Sequence, residues 1–481
     1  MAPHNVEVEA ITDTTGVPLP DPLTAAMPIN DIRGRRKKAE KTTWGVAAPA
    51  SSERFKSYSH THKPKAKRWD HYISTESKSR KGNSLKNAAK YLGKPGLISL
   101  GGGLPSSEYF PFDSLDLTMP AVANRRRHSA RGKHDLAEDK SIFDIATAFN
   151  YGQGHGAAQL LRWVTEHTEL VHNPPYADWA CHMTVGSTSA LDMSLRIFTE
   201  PGRLHLVRGL HVLRRQIETA APLGVKVARV VLTNWDPAAR GGARKPFVLY
   251  TVPSGQNPTG ATQGANRRRE IYKDEPYYFL ANEPYGGADA ATPEPPSSHA
   301  ASSWRAWDVD GRVLRMDSFS KVVSPAAESA GLTGADASTG AHPGYIDWLI
   351  HIRKEYTHRR DVMLRACDKY LPKDVVSWKP PMAGITGSKS TGASTPHASP
   401  SPLTELEDEI FMLIIDHGAL VMKGSWFYAE PDAAHDTMFF RATFAAAPAD
   451  KIQEAIHRFG DAIRPQLQAQ ELICLFEMRS F

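Results

Sequence analysis

Short apolar runs alternate with stretches of helical periodicity through the middle of the chain, and that alternation leaves few architectures open. Apolar positions recur at helical spacing from residue 156 to 167. After His182-Met183-Thr184-Val185, which reads as a strand, Gly186-Ser187-Thr188 opens a second helix running through Ile197. Residues 225–232 and 246–252 read as buried strands, and so do residues 312–318, which lead into Ser318-Phe319-Ser320-Lys321. Strands that alternate with helices predict an α/β fold with a mainly parallel central sheet. Residues 345–370 and 449–459 are again helical, with a strand at 438–444 between them. They predict a separate, smaller α+β layer.

A chain of 481 residues has room for two domains. The expected division is a basic, largely disordered arm over residues 1–84, the N-terminal part of a small domain with a linker over 85–148, a large domain over 149–344 and a C-terminal small domain over 345–481. The net charge of +6 is uneven: residues 31–95 hold 18 Lys/Arg against 5 Asp/Glu, which leaves the rest of the chain acidic. Arg33, Arg35, Arg36, Lys37 and Lys38 read as a nuclear address, a phosphate-binding patch or, most commonly for such runs, a solvated tail. The arm lacks a reading helix with stacking aromatics, so nucleic acid is not an expected partner.

Cys181, Cys367 and Cys474 lie far apart and form neither a disulfide framework nor a metal-ligand pair. No apolar stretch approaches the ~18 residues that a membrane span needs. Glu7, Glu9 and Asp13 argue against a mitochondrial presequence. The expectation is a soluble, cytoplasmic protein without a metal.

Several short motifs carry chemistry. An apolar run at 97–100 leads into Gly101, Gly102 and Gly103, where glycine permits a ligand to approach the backbone closely. Pro253-Ser254-Gly255-Gln256-Asn257-Pro258-Thr259-Gly260, Asp274-Glu275-Pro276-Tyr277 and Ser318-Phe319-Ser320-Lys321 follow in order. Singly, each is a good turn or strand end. In this order and spacing they resemble the fold-type I pyridoxal-phosphate (PLP) aminotransferases, and within them the fungal aromatic amino acid, 2-aminoadipate and kynurenine aminotransferase branch. The matching stretches are residues 98–112, 149–196, 249–260, 274–280, 312–325, 345–372 and 440–448, about half of the chain.

The resemblance implies an enzyme that moves an amino group from an L-amino acid to a 2-oxo acid, in primary or secondary metabolism, with PLP as cofactor. Lys321 would hold the cofactor as an imine and later move the proton between the substrate Cα and the cofactor. Asp274 would keep the pyridine nitrogen protonated, while Tyr277 and Asn257 would bond the phenolic oxygen. Ser187, Thr188, Ser318 and Ser320 would donate to the phosphate. Arg441 would grip the substrate α-carboxylate beside the Gly102-Gly103 loop, and Tyr151 would reach the phosphate of a neighbouring subunit, which implies a homodimer.

Other segments depart from the family. Glu328 stands where an arginine normally neutralises the phosphate. Residues 203–216 are basic and lack the expected stacking aromatics; residues 384–402 are Gly-, Ser-, Thr- and Pro-rich where an apolar strand is expected. Between Glu270 and Asp274 the chain leaves no room for the expected strand, and a helical stretch is missing between Gly340 and Tyr345. Compensated reading-frame slips would produce such blocks. The alternative is an altered PLP-binding homologue, catalytically impaired, with a scaffold or regulatory role.

Overall fold

A computed structural model describes residues 50–57, 62–82, 91, 96, 103, 105–111, 117–120, 127–130, 148–198, 204–207, 226–228, 249–252, 254–257, 260, 272–274, 279–280, 285, 311, 313–323, 341–373, 376–382, 386–392, 401–427 and 437–469. The helices are α1 (Thr75–Ser79), α2 (Ala158–His172), α3 (Gly186–Phe198), α4 (Ala341–Tyr370), α5 (Ser401–Asp416) and α6 (Ala449–Ala469). The strands are β1 (Leu117–Pro120), β2 (Arg127–Ala130), β3 (Leu204–Val207), β4 (Lys226–Ala228), β5 (Leu249–Thr251), β6 (Tyr272–Asp274), β7 (Arg315–Met316), β8 (Ser377–Trp378), β9 (Thr386–Gly392), β10 (Met422–Lys423) and β11 (Thr437–Thr443).

A five-stranded sheet runs in the order β4-β3-β5-β6-β7, every pairing parallel. This is the parallel sheet that the alternating pattern predicts. Its apolar side chains merge with those of the helices: Trp163 of α2, Leu191 and Leu195 of α3, Tyr250 and Val252 at β5, Met316 of β7, and Tyr345 and Leu349 of α4 form one buried cluster. α2 buries Leu160, Leu161 and Trp163 on one side and stops at Asn173, whose left-handed backbone (φ 43°) lets its N–H close onto Thr168 and Glu169 carbonyls.

A second sheet, antiparallel, has the order β10-β11-β9-β8. Met438, Phe440 and Ala442 alternate along β11 and bury against Ile410 and Ile414 of α5 and Ile452, Ile456 and Phe459 of α6. α4 joins the two cores. Its Tyr345 and Leu349 lie in the first cluster and its Met363, Ala366 and Cys367 in the second. Thirty residues of helix span about 45 Å, enough to serve both.

Leu204–Val207, inside the segment 203–216 that departs from the family, form β3, an interior strand bonded to both β4 and β5. Three expectations change. The three residues Tyr272–Asp274 do form a strand, because β5 and β7 pair with it on both sides and supply the ladder that its own length cannot. The polar Thr386–Gly392 segment is also a strand: it pairs with β11 over its full length, and main-chain bonds to a partner that brings the apolar side chains need none of its own. In contrast, residues 182–185 join neither sheet; Met183 is tied instead to His155 by an N–H···O bond of 3.2 Å.

Part of the segment expected to be disordered is packed. Ala50 and Phe55 are buried with Ala158 and Leu161. Ser57 N–H donates to Glu169 at 3.0 Å, and Lys63 Nζ to both Asn173 Oδ1 and Pro174 O at 2.7 Å. Ser74 donates to carbonyls at the end of α3, through its N–H to Ile197 (2.7 Å) and its hydroxyl to Arg196 (2.6 Å). Polar residues here satisfy the backbone and side-chain groups that α2 and α3 leave exposed at their C-terminal ends, a role that hydropathy does not reveal. Among the described residues no helix is long and apolar enough to cross a membrane.

Candidate active site

In a parallel sheet every strand ends on the same side, so the residues that follow β5, β6 and β7 share one edge however far apart they lie in sequence. After β5 the chain turns over residues 254–260. Gly255 (φ 59°) and Gly260 (φ 70°) take backbone conformations that side-chain-bearing residues avoid, and Gly260 N–H closes onto Gln256 O at 2.6 Å. Asn257 sits half-buried at the head of this turn. β6 ends at Asp274, in register with Met316 of β7. The side chain of Asp274, and Tyr277 altogether, lie outside the described residues.

The turn after β7 carries Ser318, Ser320 and Lys321. Ser320 N–H donates to Ser318 Oγ at 3.1 Å, and the Val322 and Val323 N–H groups fold back onto Phe319 O at 3.1 and 2.8 Å. Val322 is buried, and Trp348 of α4 donates its indole N–H to Val322 O at 2.6 Å. Lys321 is therefore half-buried on a turn that is bonded from within and pinned from α4.

α3 packs against the same sheet, its Leu191 and Leu195 buried in one cluster with Tyr250, Val252 and Met316. Gly186 opens the helix with φ 76°. The Ser187 hydroxyl behind it is buried without a hydrogen-bond partner, a state that costs about 1–3 kcal/mol unless a ligand supplies the bond. A helix N-terminus with an unused buried hydroxyl suits a phosphate, so this part of the chain fits PLP.

Arg441 arrives from the other core. Its Nη1 donates to Asn257 Oδ1 at 3.0 Å, across 184 positions of sequence. β11 fixes its place in the sheet, where it is in register with Met422 and Ser388. Beneath it lies the Phe427 ring, whose centroid is 4.8 Å from the guanidinium carbon. A planar fork steadied from two directions is prepared for a carboxylate. The sequence reading missed Phe427 and Trp348, since neither stands in a motif and each acquires its place through tertiary contacts.

Other expected residues are not gathered here. Tyr151 is 62% exposed, and Gly103 is exposed with open space around it. Thr188 is exposed beside Ser187. Gly102 and Glu328 lie outside the described residues. Among the described residues no cluster of His, Cys, Asp or Glu could hold a metal ion.

No protein-family model matches the chain. It is 37% identical to an aromatic amino acid aminotransferase of Schizosaccharomyces pombe, over 82% of this chain and 97% of that protein. It is 26% identical to the mitochondrial kynurenine/alpha-aminoadipate aminotransferase of Mus musculus, over 83% of this chain and 100% of that one. The crystal structure of aminotransferase Aro8 from Candida albicans matches with a TM-score of 0.67 and 31% identity, covering 84% of this chain and 99% of that one.

Proposed function

This chain belongs to the fungal branch of the PLP-dependent aminotransferases, and we propose that its donors are aromatic, kynurenine-like, 2-aminoadipate or lysine-derived L-amino acids and its acceptor a 2-oxo acid. The observation that carries this reading is the Arg441–Asn257 bond, which joins a carboxylate-gripping fork to the sheet edge where Lys321 stands.

When bound, PLP supplies an aldehyde for the donor amine and a ring that accepts the electron pair released at Cα. The Ser187, Ser318 and Ser320 hydroxyls and the N–H groups that open α3 would hold its phosphate. Asp274, the last residue of β6, would keep its ring nitrogen protonated, with Tyr277 and Asn257 on its phenolic oxygen. Lys321 would take the Cα proton and deliver it to the cofactor's aldehyde carbon. Arg441 would bind the α-carboxylate common to donors and acceptors, which fixes the reaction at the Cα–H bond and leaves the carboxylate in place.

Around α4, the parallel sheet would be the core of a cofactor-binding domain over residues 149–344, and the antiparallel sheet that of a smaller domain over 345–481. The exposure of Tyr151, Phe149 and Tyr109 supports a homodimer in which Tyr151 serves the partner's site.

The test is an absorbance spectrum of the purified chain with PLP, before and after an aromatic L-amino acid, beside Lys321→Ala. The reading expects an imine band that the amino acid bleaches and that Lys321→Ala abolishes. Glu328 favours a second reading, a cofactor-holding homologue without turnover, and the same spectrum separates them: its band would persist in the presence of donor.

A further inference from the structure

The glutamate buried under the turn that follows β10 is unused by the chemistry above. Glu407 of α5 is 3% exposed, its Oε1 accepts the Ser425 N–H at 3.2 Å, and its Oε2 is buried with no hydrogen-bond partner. Burial pushes its carboxyl above the usual range, against the opposing pull of Ser425, Lys423 and the Gly424 N–H. A leucine of similar size would fill this place without a stranded oxygen, so packing alone does not explain a carboxylate.

Its bond restrains a single helical turn, Gly424–Phe427. The turn begins one residue after Lys423, whose ammonium pairs with Asp408 beside Glu407 on α5. Gly424 lies so close to β11 that a Cβ there would meet Phe439 O at 2.4 Å. Met422, two residues before the turn, is the register partner of Arg441, and Phe427, its last residue, lies under the Arg441 guanidinium. One end of the turn is thus locked to β11 and the other supports the arginine; Glu407 sets the angle between them.

We propose that Glu407 is a positioning residue for substrate carboxylate recognition: through the Ser425 N–H it fixes the turn whose Phe427 ring holds the Arg441 fork. This rests on the reading that Arg441 binds the α-carboxylate.

The experiment compares two ligands on the full PLP-loaded chain, L-phenylalanine and 2-phenylethylamine, which share amine and ring and differ in the carboxylate. Half-saturation is read from the change in the imine absorbance. Glu407→Leu is expected to weaken L-phenylalanine about tenfold with 2-phenylethylamine unchanged. Glu407→Gln, which keeps an oxygen for the Ser425 N–H, is expected to restore the parent's preference. Equal weakening of both ligands by Glu407→Leu, or of neither, overturns the proposal. Should Glu407→Leu fail to fold, Phe427→Leu decides by the same comparison: selective loss of L-phenylalanine supports the proposal and an unchanged preference overturns it. Arg441→Lys separates the two readings. If it leaves the preference intact, the carboxylate assignment falls and the inference with it; if it removes the preference while Glu407→Leu and Phe427→Leu do not, the inference alone falls.

Discussion

Ser187 is where a stability argument and a binding argument take opposite signs. Its hydroxyl is buried without a partner at the opening of α3, so in the cofactor-free chain it costs stability. If the phosphate of PLP supplies the missing bond, that cost becomes affinity. Ser187→Ala is therefore expected to raise the melting temperature of the cofactor-free protein slightly while weakening PLP about tenfold, the order of one charge-assisted hydrogen bond. Thermal melts with and without PLP check both halves. A variant that lost stability in both states would remove Ser187 from the phosphate site. Such residues were legible before the fold was known because they lie in motifs whose order carries meaning. Phe427 and Trp348 were not legible. What each does depends on a partner far off in sequence, Arg441 for one and the carbonyl of Val322 for the other.

Helices showed through the sequence better than strands, and the reason is physical. α2 and α6 each bury a repeating apolar side, so periodicity alone locates them. β6 and β9 are strands because of what lies beside them: a three-residue segment and a run of Thr, Gly and Ser take their structure from paired neighbours. The close crossing of α6 and α4 is likewise invisible in sequence. At Gly460 a Cβ would fall 2.5 Å from Tyr370 O at the end of α4, with Leu371 also within reach. Alanine would gain about 1 kcal/mol of helix propensity there. The clash is with backbone, which cannot rotate aside, and overpacking of this kind costs about 1–3 kcal/mol. The clash should win, so Gly460→Ala is expected to lower the melting temperature, measured by circular dichroism; a rise would mean that α4 and α6 slide apart freely.

The two cores should answer acid in opposite ways, since each buries a titratable group of different kind. In the first, burial holds the His172 imidazole well below its ordinary value near 6.5, helped by Arg315 and then His167. Protonation is disfavoured in the folded state, so stability is complete above about pH 6.5 and is lost as pH falls below it. In the second, burial raises Glu407 above its ordinary value near 4.5. There the neutral form is favoured by folding, so that contribution is complete below about pH 4.5 and is lost as pH rises through the raised value. Moving from pH 7.5 to 5.5 should thus loosen the sheet of β3 to β7 with α2 while sparing the sheet of β8 to β11. α4 belongs to both, and its N-terminal half around Tyr345 should loosen before the half around Cys367. Amide hydrogen exchange at the two pH values, corrected for intrinsic rates, reads this peptide by peptide. Acid should speed exchange in α2 and the first half of α4 but not in β11 or α6, and His172→Phe, which has nothing to protonate, should reduce the difference. Uniform acceleration across both cores, or a response that His172→Phe leaves untouched, would mean that the chain opens as one unit and that this histidine does not govern its acid limit.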